Sequence, residues 1–161
     1  MTENQQPYEP PRSRVADIVE RAPRPWLGLV LGALADIGGT MVAGVVVSVW
    51  YSTQLISEGK TPDQVVESLA NIPVDSGIGI VATGAGLLCS LWGGYVCASF
   101  ASVAPFKWGG ILAAIVCLVG LAMGGGEFPP GLEFALLAAT FVAVLAGVWL
   151  RVRKRQMKRA A

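Results

Sequence analysis

Four long apolar stretches dominate this 161-residue chain and restrict what it can fold into. A helix that crosses the hydrocarbon core of a bilayer needs about 20 consecutive, mostly apolar residues. The stretches predict membrane helices over about 26–51, 78–103, 106–123 and 130–150. Only 14% of the residues are charged, against about 25% in an average soluble protein. The sequence therefore predicts an all-α integral membrane four-helix bundle over residues 25–150.

Polar segments flank the predicted bundle at both ends. Residues 1–24 form a proline-rich segment without the basic and then apolar layout of a cleavable signal peptide. The first helix is therefore expected to act as an uncleaved anchor. Residues 151–161 form a basic tail. This tail is expected to attract anionic lipids, since each basic residue beside a membrane contributes about 1 kcal/mol.

Lysine and arginine are distributed very unevenly along the chain. Eleven of the twelve lie in residues 1–24, in the tail or at Lys107, the second residue of the third predicted helix. The twelfth is Lys60, between the first and second helices. Short loops rich in Lys and Arg stay on the cytoplasmic side of a membrane. The sequence thus predicts a multi-pass membrane protein with its N-terminus and C-terminus in the cytoplasm.

The first outer loop of this topology is long and contains a helix-start pattern. The Thr61 hydroxyl can cap free amides, Pro62 suits a first helical turn and Gln64 can reach back to the cap. Apolar residues then share one face, namely Val65, Val66, Leu69 and Ile72. We predict a short amphipathic helix from about Pro62 to Ala70. It would serve either as a lid on the bundle or lipid surface, or as a docking site for an outer partner.

Small or polar residues recur at every fourth position in three of the predicted helices. They are Gly28, Gly32, Asp36, Thr40, Gly44 and Ser48; then Gly86, Ser90, Gly94, Ala98 and Ser102; then Ala135, Ala139, Ala143 and Gly147. Residues four apart share a helix face. Small side chains let helices approach closely within lipid. The stripes are therefore expected to face other helices in a compact bundle.

One of these stripe residues, Asp36, carries a carboxyl group into the apolar region. It lies ten residues after Trp26, or about 15 Å along a helix, which is half of an apolar slab about 30 Å thick. Similar depths in the other helices predict an intramembrane polar layer. Its members are Asp36, Thr40, Ser90, Tyr95 and Thr140.

A carboxyl group at this depth has two interpretations. It costs roughly 2.5–3.5 kcal/mol to insert, and the one Lys or Arg within a predicted helix, Lys107, lies at the start of the third helix, away from mid-depth. Asp36 could be protonated and hydrogen-bonded between helices as a structural contact. It could instead exchange a proton or bind a cation during transport.

The residue types present argue against an enzyme. Histidine is absent, which removes the commonest general base and metal ligand. Cys89, Cys97 and Cys117 lie in apolar segments with no Cys-x-x-Cys pair, and we interpret them as small buried hydrophobes. We expect no catalytic residues, no cofactor and no metal. The basic tail lacks interleaved aromatics, so the lipid bilayer, rather than nucleic acid, is the expected partner.

Two segments resemble sequences of known bacterial proteins. QPYEPPRSRVADI, residues 6–18, resembles the Asn-Pro-Tyr-x-Pro-Pro motif that precedes RDD-type and other inner-membrane domains, with Gln6 in place of Asn. A proline-rich segment with an exposed aromatic is suited to being bound by a partner. WGGYVCASFASVAPFKWGGILA, residues 92–113, resembles uncharacterised four-span proteins. That resemblance implies four spans and no particular activity.

Two functions remain open at this point. The first is a non-catalytic small inner-membrane protein that forms a homo-oligomer or is accessory to another membrane protein. The small-residue stripes and the proline-rich segment favour it. The alternative is a small oligomeric proton- or ion-coupled transporter that uses Asp36.

Overall fold

The computed structural model describes residues 24–101, 103–124 and 129–160, and every regular element within them is a helix. The elements are α1 (Pro25–Ala33), a π-helical segment (Leu34–Gly38), α2 (Gly39–Ser57), α3 (Pro62–Ala70), α4 (Gly77–Phe100), α5 (Pro105–Gly124) and α6 (Pro130–Ala160). The first three run on without a break and form the first long helix, Pro25–Ser57. The resemblance noted at residues 6–18 lies outside the described residues.

Four of these helices are long and apolar enough to cross a membrane: the first long helix, α4, α5 and α6. The predicted all-α fold with four apolar helices is confirmed. Pro105 and Pro130 stand at the first positions of α5 and α6, where the missing proline N–H is no loss because that amide has no partner within the helix.

The first long helix ends at Ser57, six residues beyond the predicted end. The polar residues of this extension are helical, and their hydroxyls bond back to carbonyls one turn earlier, as when Ser52 Oγ donates to the Ser48 carbonyl at 2.7 Å. The helix ends where Gly59 takes a φ of +84°, a left-handed conformation that glycine adopts without steric cost. The Lys60 amide then donates to the Leu55 carbonyl at 3.2 Å and closes the turn.

The short helix α3 lies directly after this turn. At its start the Thr61 amide donates to Gln64 Oε1 at 3.0 Å, which is one half of a capping box. Val65 is buried on α3, Leu55 is buried near the end of α2, and the two helices are in contact. This apolar contact holds α3 against the end of the first long helix.

The last helix extends well beyond the predicted boundary at residue 150. α6 continues through the basic tail to Ala160. The tail is therefore part of the same helix that packs in the bundle. The register of α6 sets the direction of the arginine side chains in the tail.

Helix α4 lies at the centre of the bundle. It packs against the first long helix, α5 and α6, while α5 also packs against α1 and α6. A buried cluster joins the four long helices and consists of Leu29, Cys97, Leu112, Ala113 and Val144. An edge-to-face contact of Trp26 with Trp108, with ring centroids 5.5 Å apart, closes the same end between α1 and α5.

Glycines bring α4 and α6 into backbone contact. A Cβ added to Gly94 would overlap the Val144 carbonyl, and one added to Gly147 would overlap the Leu91 carbonyl. On the other side of α4, a Cβ at Gly28 would lie 2.7 Å from the Cys97 carbonyl oxygen. These stripe residues face other helices, as predicted.

The C-terminal part of the first stripe does not face other helices of the bundle. Gly44 and Ser48 are exposed, and a Cβ added to Gly44 would meet nothing within 4 Å. The expectation that the whole stripe faces helices of the same chain is wrong for this part. The reason is that α2 packs mainly against α4 and α3, so only one side of it has neighbours.

Packing is therefore uneven along the bundle. The buried cluster lies in the half formed by α1, the end of α4, the start of α5 and the middle of α6. In the opposite half the helices are further apart, since a Cβ added to Gly86 would reach only Thr40 Cγ2, at 4.0 Å, and one added to Gly120 would meet nothing within 4 Å. The looser half holds the candidate site.

Candidate functional site

The π-helical segment carries Asp36 into the interior. Its five residues, Leu34–Gly38, interrupt the α-helical register of the first long helix. A π-bulge is rare, and where it occurs it frequently lies at a functional site. Asp36 is only 2% exposed. It approaches α4 at Gly93, where an added Cβ would lie 2.8 Å from the Asp36 Cβ.

The two oxygens of Asp36 have different surroundings. Ser90 is buried on α4, and its hydroxyl donates to Asp36 Oδ1 at 2.8 Å. Asp36 Oδ2 is also buried but has no hydrogen-bond partner among the described residues. Buried polar atoms are nearly always hydrogen-bonded, so an unpartnered one requires an explanation.

The carboxyl group lies at the wall of a cavity. The cavity has a volume of about 500 Å³ and is bordered by the first long helix, α4, α5 and α6. Four members of the predicted polar layer line it: Asp36, Thr40, Ser90 and Thr140. The structure thus brings these four together around one space in the looser half of the bundle.

Tyr95 lies apart from the cavity. It follows Ser90 by five residues, more than a full helical turn, and so points in another direction. Its hydroxyl accepts a hydrogen bond from Arg151 Nη1 at 3.1 Å, and its ring stacks on Trp92 with centroids 6.0 Å apart. Tyr95 therefore belongs to the contact between α4 and the start of the basic tail.

The tail arginines were not predicted to contact the bundle. Besides Arg151, Arg155 donates from Nη2 to the Ser99 carbonyl at 2.7 Å. The two arginines are four residues apart and so share one face of α6. That spacing was visible in the sequence, but its meaning depends on α6 remaining helical beyond residue 150.

Other cavity residues were also missed. Thr83 and Gly86 line the cavity from α4, and Met41 and Met123 line it from the first long helix and α5. The spacing of Thr83, Gly86 and Ser90 places them on one helix face. No single-helix pattern, however, indicates that the facing helices stand apart there.

Potential metal ligands are few among the described residues of this site. Within residues 24–101, 103–124 and 129–160 there is no group of three or more His, Cys, Asp or Glu residues that could hold a metal ion. Cys89, Cys97 and Cys117 are free thiols.

No protein-family model matches the chain, and neither does any curated protein or solved structure. The class of protein rests on the fold and site alone. It is a bundle of four helices, each able to cross a membrane, with a buried carboxyl group at the wall of an apolar cavity.

Replacing Ser90 by alanine should lower the free energy of unfolding by about 0.6–1.7 kcal/mol, from the average to the largest value measured for hydrogen bonds between membrane helices. The change leaves both Asp36 oxygens without a protein donor. Ser52→Ala is the matched control, because its hydroxyl bonds only within its own helix. Unfolding with increasing dodecyl sulfate in mixed micelles measures both variants. Equal losses would contradict a stabilising bond from Ser90 to Asp36.

Proposed function

We propose that the chain is a small integral membrane protein of the bacterial inner membrane with both termini in the cytoplasm. Four helices of sufficient length and apolarity support it. An even number of crossings returns the chain to the side on which it began. Eleven of the twelve Lys and Arg residues then fall on one side, which the positive-inside rule makes the cytoplasm. The resemblance at residues 6–18 supports a bacterial origin.

Reporter fusions test this topology. A green fluorescent protein fused after Ala161 should fluoresce, because it folds in the cytoplasm. Alkaline phosphatase inserted after Asn71, beyond α3, should be active, because it requires an oxidising outer compartment. A dark C-terminal fusion together with inactive phosphatase would contradict the proposed orientation.

For the function itself, we infer a non-catalytic carrier coupled to protons or other cations, with Asp36 as the coupling group. The observation that carries this proposal is that Asp36 lines the cavity and that its buried Oδ2 has no hydrogen-bond partner among the described residues. A purely structural aspartate would be expected to have partners for both oxygens. Ionisable groups inside membranes commonly mark ion and proton pathways.

The backbone around Asp36 supports the same proposal. The π-helical segment contains an extra residue relative to α-helical register, and the neighbouring Gly38 and Gly39 add no bulk. An added Cβ at Gly38 would meet nothing within 4 Å. A change of register in this segment would alter the access of Asp36 to either side.

Asp36→Asn tests the carrier directly. Proteoliposomes containing the wild-type chain, a pH-sensitive dye and either Na⁺ or K⁺ on one side should dissipate an imposed pH gradient faster than protein-free liposomes. Asparagine keeps the shape and a hydrogen-bonding group but cannot exchange a proton, so the variant should fall to the protein-free rate. Glu133→Gln is the control, because it removes an acid that does not line the cavity. Unchanged flux in folded Asp36→Asn would contradict the carrier.

A second candidate is self-association or an accessory role beside another membrane protein. The exposed Gly44 and Ser48 favour it, because small residues on an uncovered face allow a further helix to approach closely. The two candidates are compatible, since small carriers can work as oligomers. Asp36→Asn distinguishes them, because it should abolish carrier flux but leave self-association intact.

A further inference from the structure

We propose that the cavity beside Asp36 binds an amphiphilic amine. The ammonium N–H would donate to the carboxylate of Asp36, which lines the cavity, and the hydrocarbon part would fill the apolar remainder of the cavity. This inference rests on the proposed function and deepens it by naming the chemical class of the ligand.

The polar end of the cavity needs a hydrogen-bond donor. Asp36 Oδ1 is already bonded to Ser90, while Oδ2 has no partner in the described part of the chain. Thr140 also lines the cavity, but its hydroxyl donates to the Leu136 carbonyl of its own helix at 2.9 Å. The hydroxyls of Thr40 and Thr83 line the cavity as well, and neither bonds to Oδ2. We therefore take an occupant as the donor. An ammonium forms a charge-assisted hydrogen bond with a carboxylate, which is stronger than a neutral one.

The rest of the cavity suits a hydrocarbon body. Eleven of its sixteen lining residues are glycine or have apolar side chains. Along α5 the lining runs from Val116 to Met123, about 10 Å at the helical rise. Its volume of about 500 Å³ falls within the roughly 300–1,000 Å³ of small-molecule sites.

Other occupants fit less well. A lipid acyl chain would cover the apolar walls but has no donor for Asp36 Oδ2. A bare metal cation could pair with Asp36 but would leave the eleven glycine or apolar lining residues uncovered. An amphiphilic amine provides both a hydrogen-bond donor for Asp36 and a hydrocarbon body for the apolar walls. It can arrive from the lipid, because α2 packs mainly on α4 and α3 and leaves the cavity open beside it.

Methionine methyl NMR of the full chain in lipid nanodiscs can test binding, with octylammonium as the probe. Met41 and Met123 line the cavity, whereas Met157 lies far along α6 and serves as an internal control. Single Met→Leu variants assign the signals. Octylammonium should shift the Met41 and Met123 methyl signals in a saturable manner and leave Met157 unchanged. Octanoate, which has a similar chain and the opposite charge, should cause no saturable shift.

Two pairs of variants separate binding from general effects of an amphiphile on the bilayer. Asp36→Asn should weaken octylammonium binding by about tenfold or more, while Glu133→Gln should not. Gly86→Leu should block binding with Asp36 intact, because Gly86 lines the cavity. Gly84→Leu is its match on the same helix, since Gly84 is exposed and does not line the cavity. If Asp36→Asn fails to fold, the glycine pair still decides the question.

Three results would overturn the inference: no saturable shift at Met41 and Met123, equal shifts with octanoate, or undiminished binding in folded Gly86→Leu. Signals that change with protein dilution but ignore octylammonium would assign the cavity to a second copy of the chain, and would also overturn it. The assay needs no transport. Octylammonium binding without any proton flux would therefore reject the carrier and keep the ligand class. Proton flux without octylammonium binding would keep the carrier and reject the ligand class.

Discussion

Replacing Gly147 by alanine should cost this protein more than about 2 kcal/mol in its free energy of unfolding, near the upper part of the range for overpacking. The added methyl group would overlap the Leu91 carbonyl and lie 2.8 Å from the Tyr95 amide nitrogen. Both are backbone atoms of α4, so no flexible side chain can move aside. The only relief is to separate α4 from α6, which is the central contact of the bundle.

The expected loss of stability is opposite in sign to the usual effect of a glycine-to-alanine change in a helix. In a helix interior, glycine is normally less favourable than alanine by about 0.5–1 kcal/mol. Gly110→Ala on α5 should therefore be neutral or stabilising, since a Cβ there would meet nothing within 4 Å. Equilibrium unfolding in mixed micelles compares the two variants. If Gly147→Ala proved as stable as Gly110→Ala, the described contact of α4 with α6 would be incorrect.

The second large effect is expected at Gly93, where the first long helix meets α4. An alanine Cβ would lie 2.8 Å from both the Asp36 Cβ and the Gly32 carbonyl oxygen. The variant should lose about 1–3 kcal/mol. It should also move Asp36 away from Ser90, so the loss of packing at Gly93 should be accompanied by loss of the Ser90–Asp36 hydrogen bond.

A double-mutant cycle with Ser90→Ala measures this connection. In the wild-type background, Ser90→Ala should be destabilising; in the Gly93→Ala background it should have little further effect, because the hydrogen bond is already lost. Gly84→Ala is the matched control on the same helix, since its Cβ would meet nothing within 4 Å. Fully additive losses at Gly93 and Ser90 would show that the two residues are uncoupled.

The uneven packing explains how one small bundle can hold both a rigid contact and a binding space. At one end, glycines at positions 28, 94 and 147 allow backbone contact between helices. At the other end, α2 contributes little to the core, with Leu55 as its one buried residue. Stability therefore comes mainly from one half, and the other half is free to contain a cavity beside Asp36.

Much of the fold was predictable because apolar length and helix-start residues are local properties. Each span of about 20 apolar residues predicts a helix without knowledge of its neighbours. The start of α3 followed in the same way from Thr61, Pro62 and Gln64. The end of α6 was missed because the basic tail has no apolar pattern. Its helix depends partly on the contacts that Arg151 and Arg155 make with α4.

The candidate site was only partly predictable. Depth counting brought Asp36, Ser90, Thr40 and Thr140 to a similar level, and these four do share the cavity. It placed Tyr95 in the same layer, although that side chain turns toward Arg151. Depth along a helix follows from residue number, but direction around it also depends on helix register and on which neighbours stand on each side. The π-helical segment, which shifts that register at Asp36, has no clear sequence signal.

The amino-acid sequence by itself determined that this chain forms four apolar helices and that one of them carries a carboxyl group within its apolar part. These follow from side-chain hydropathy and the fixed rise of a helix. Only the tertiary structure decided that Ser90 bonds one oxygen of Asp36, that the other oxygen has no partner, and that a cavity lies beside it. The reason is that a cavity is a property of the distances between helices, which are set jointly by glycines on several of them.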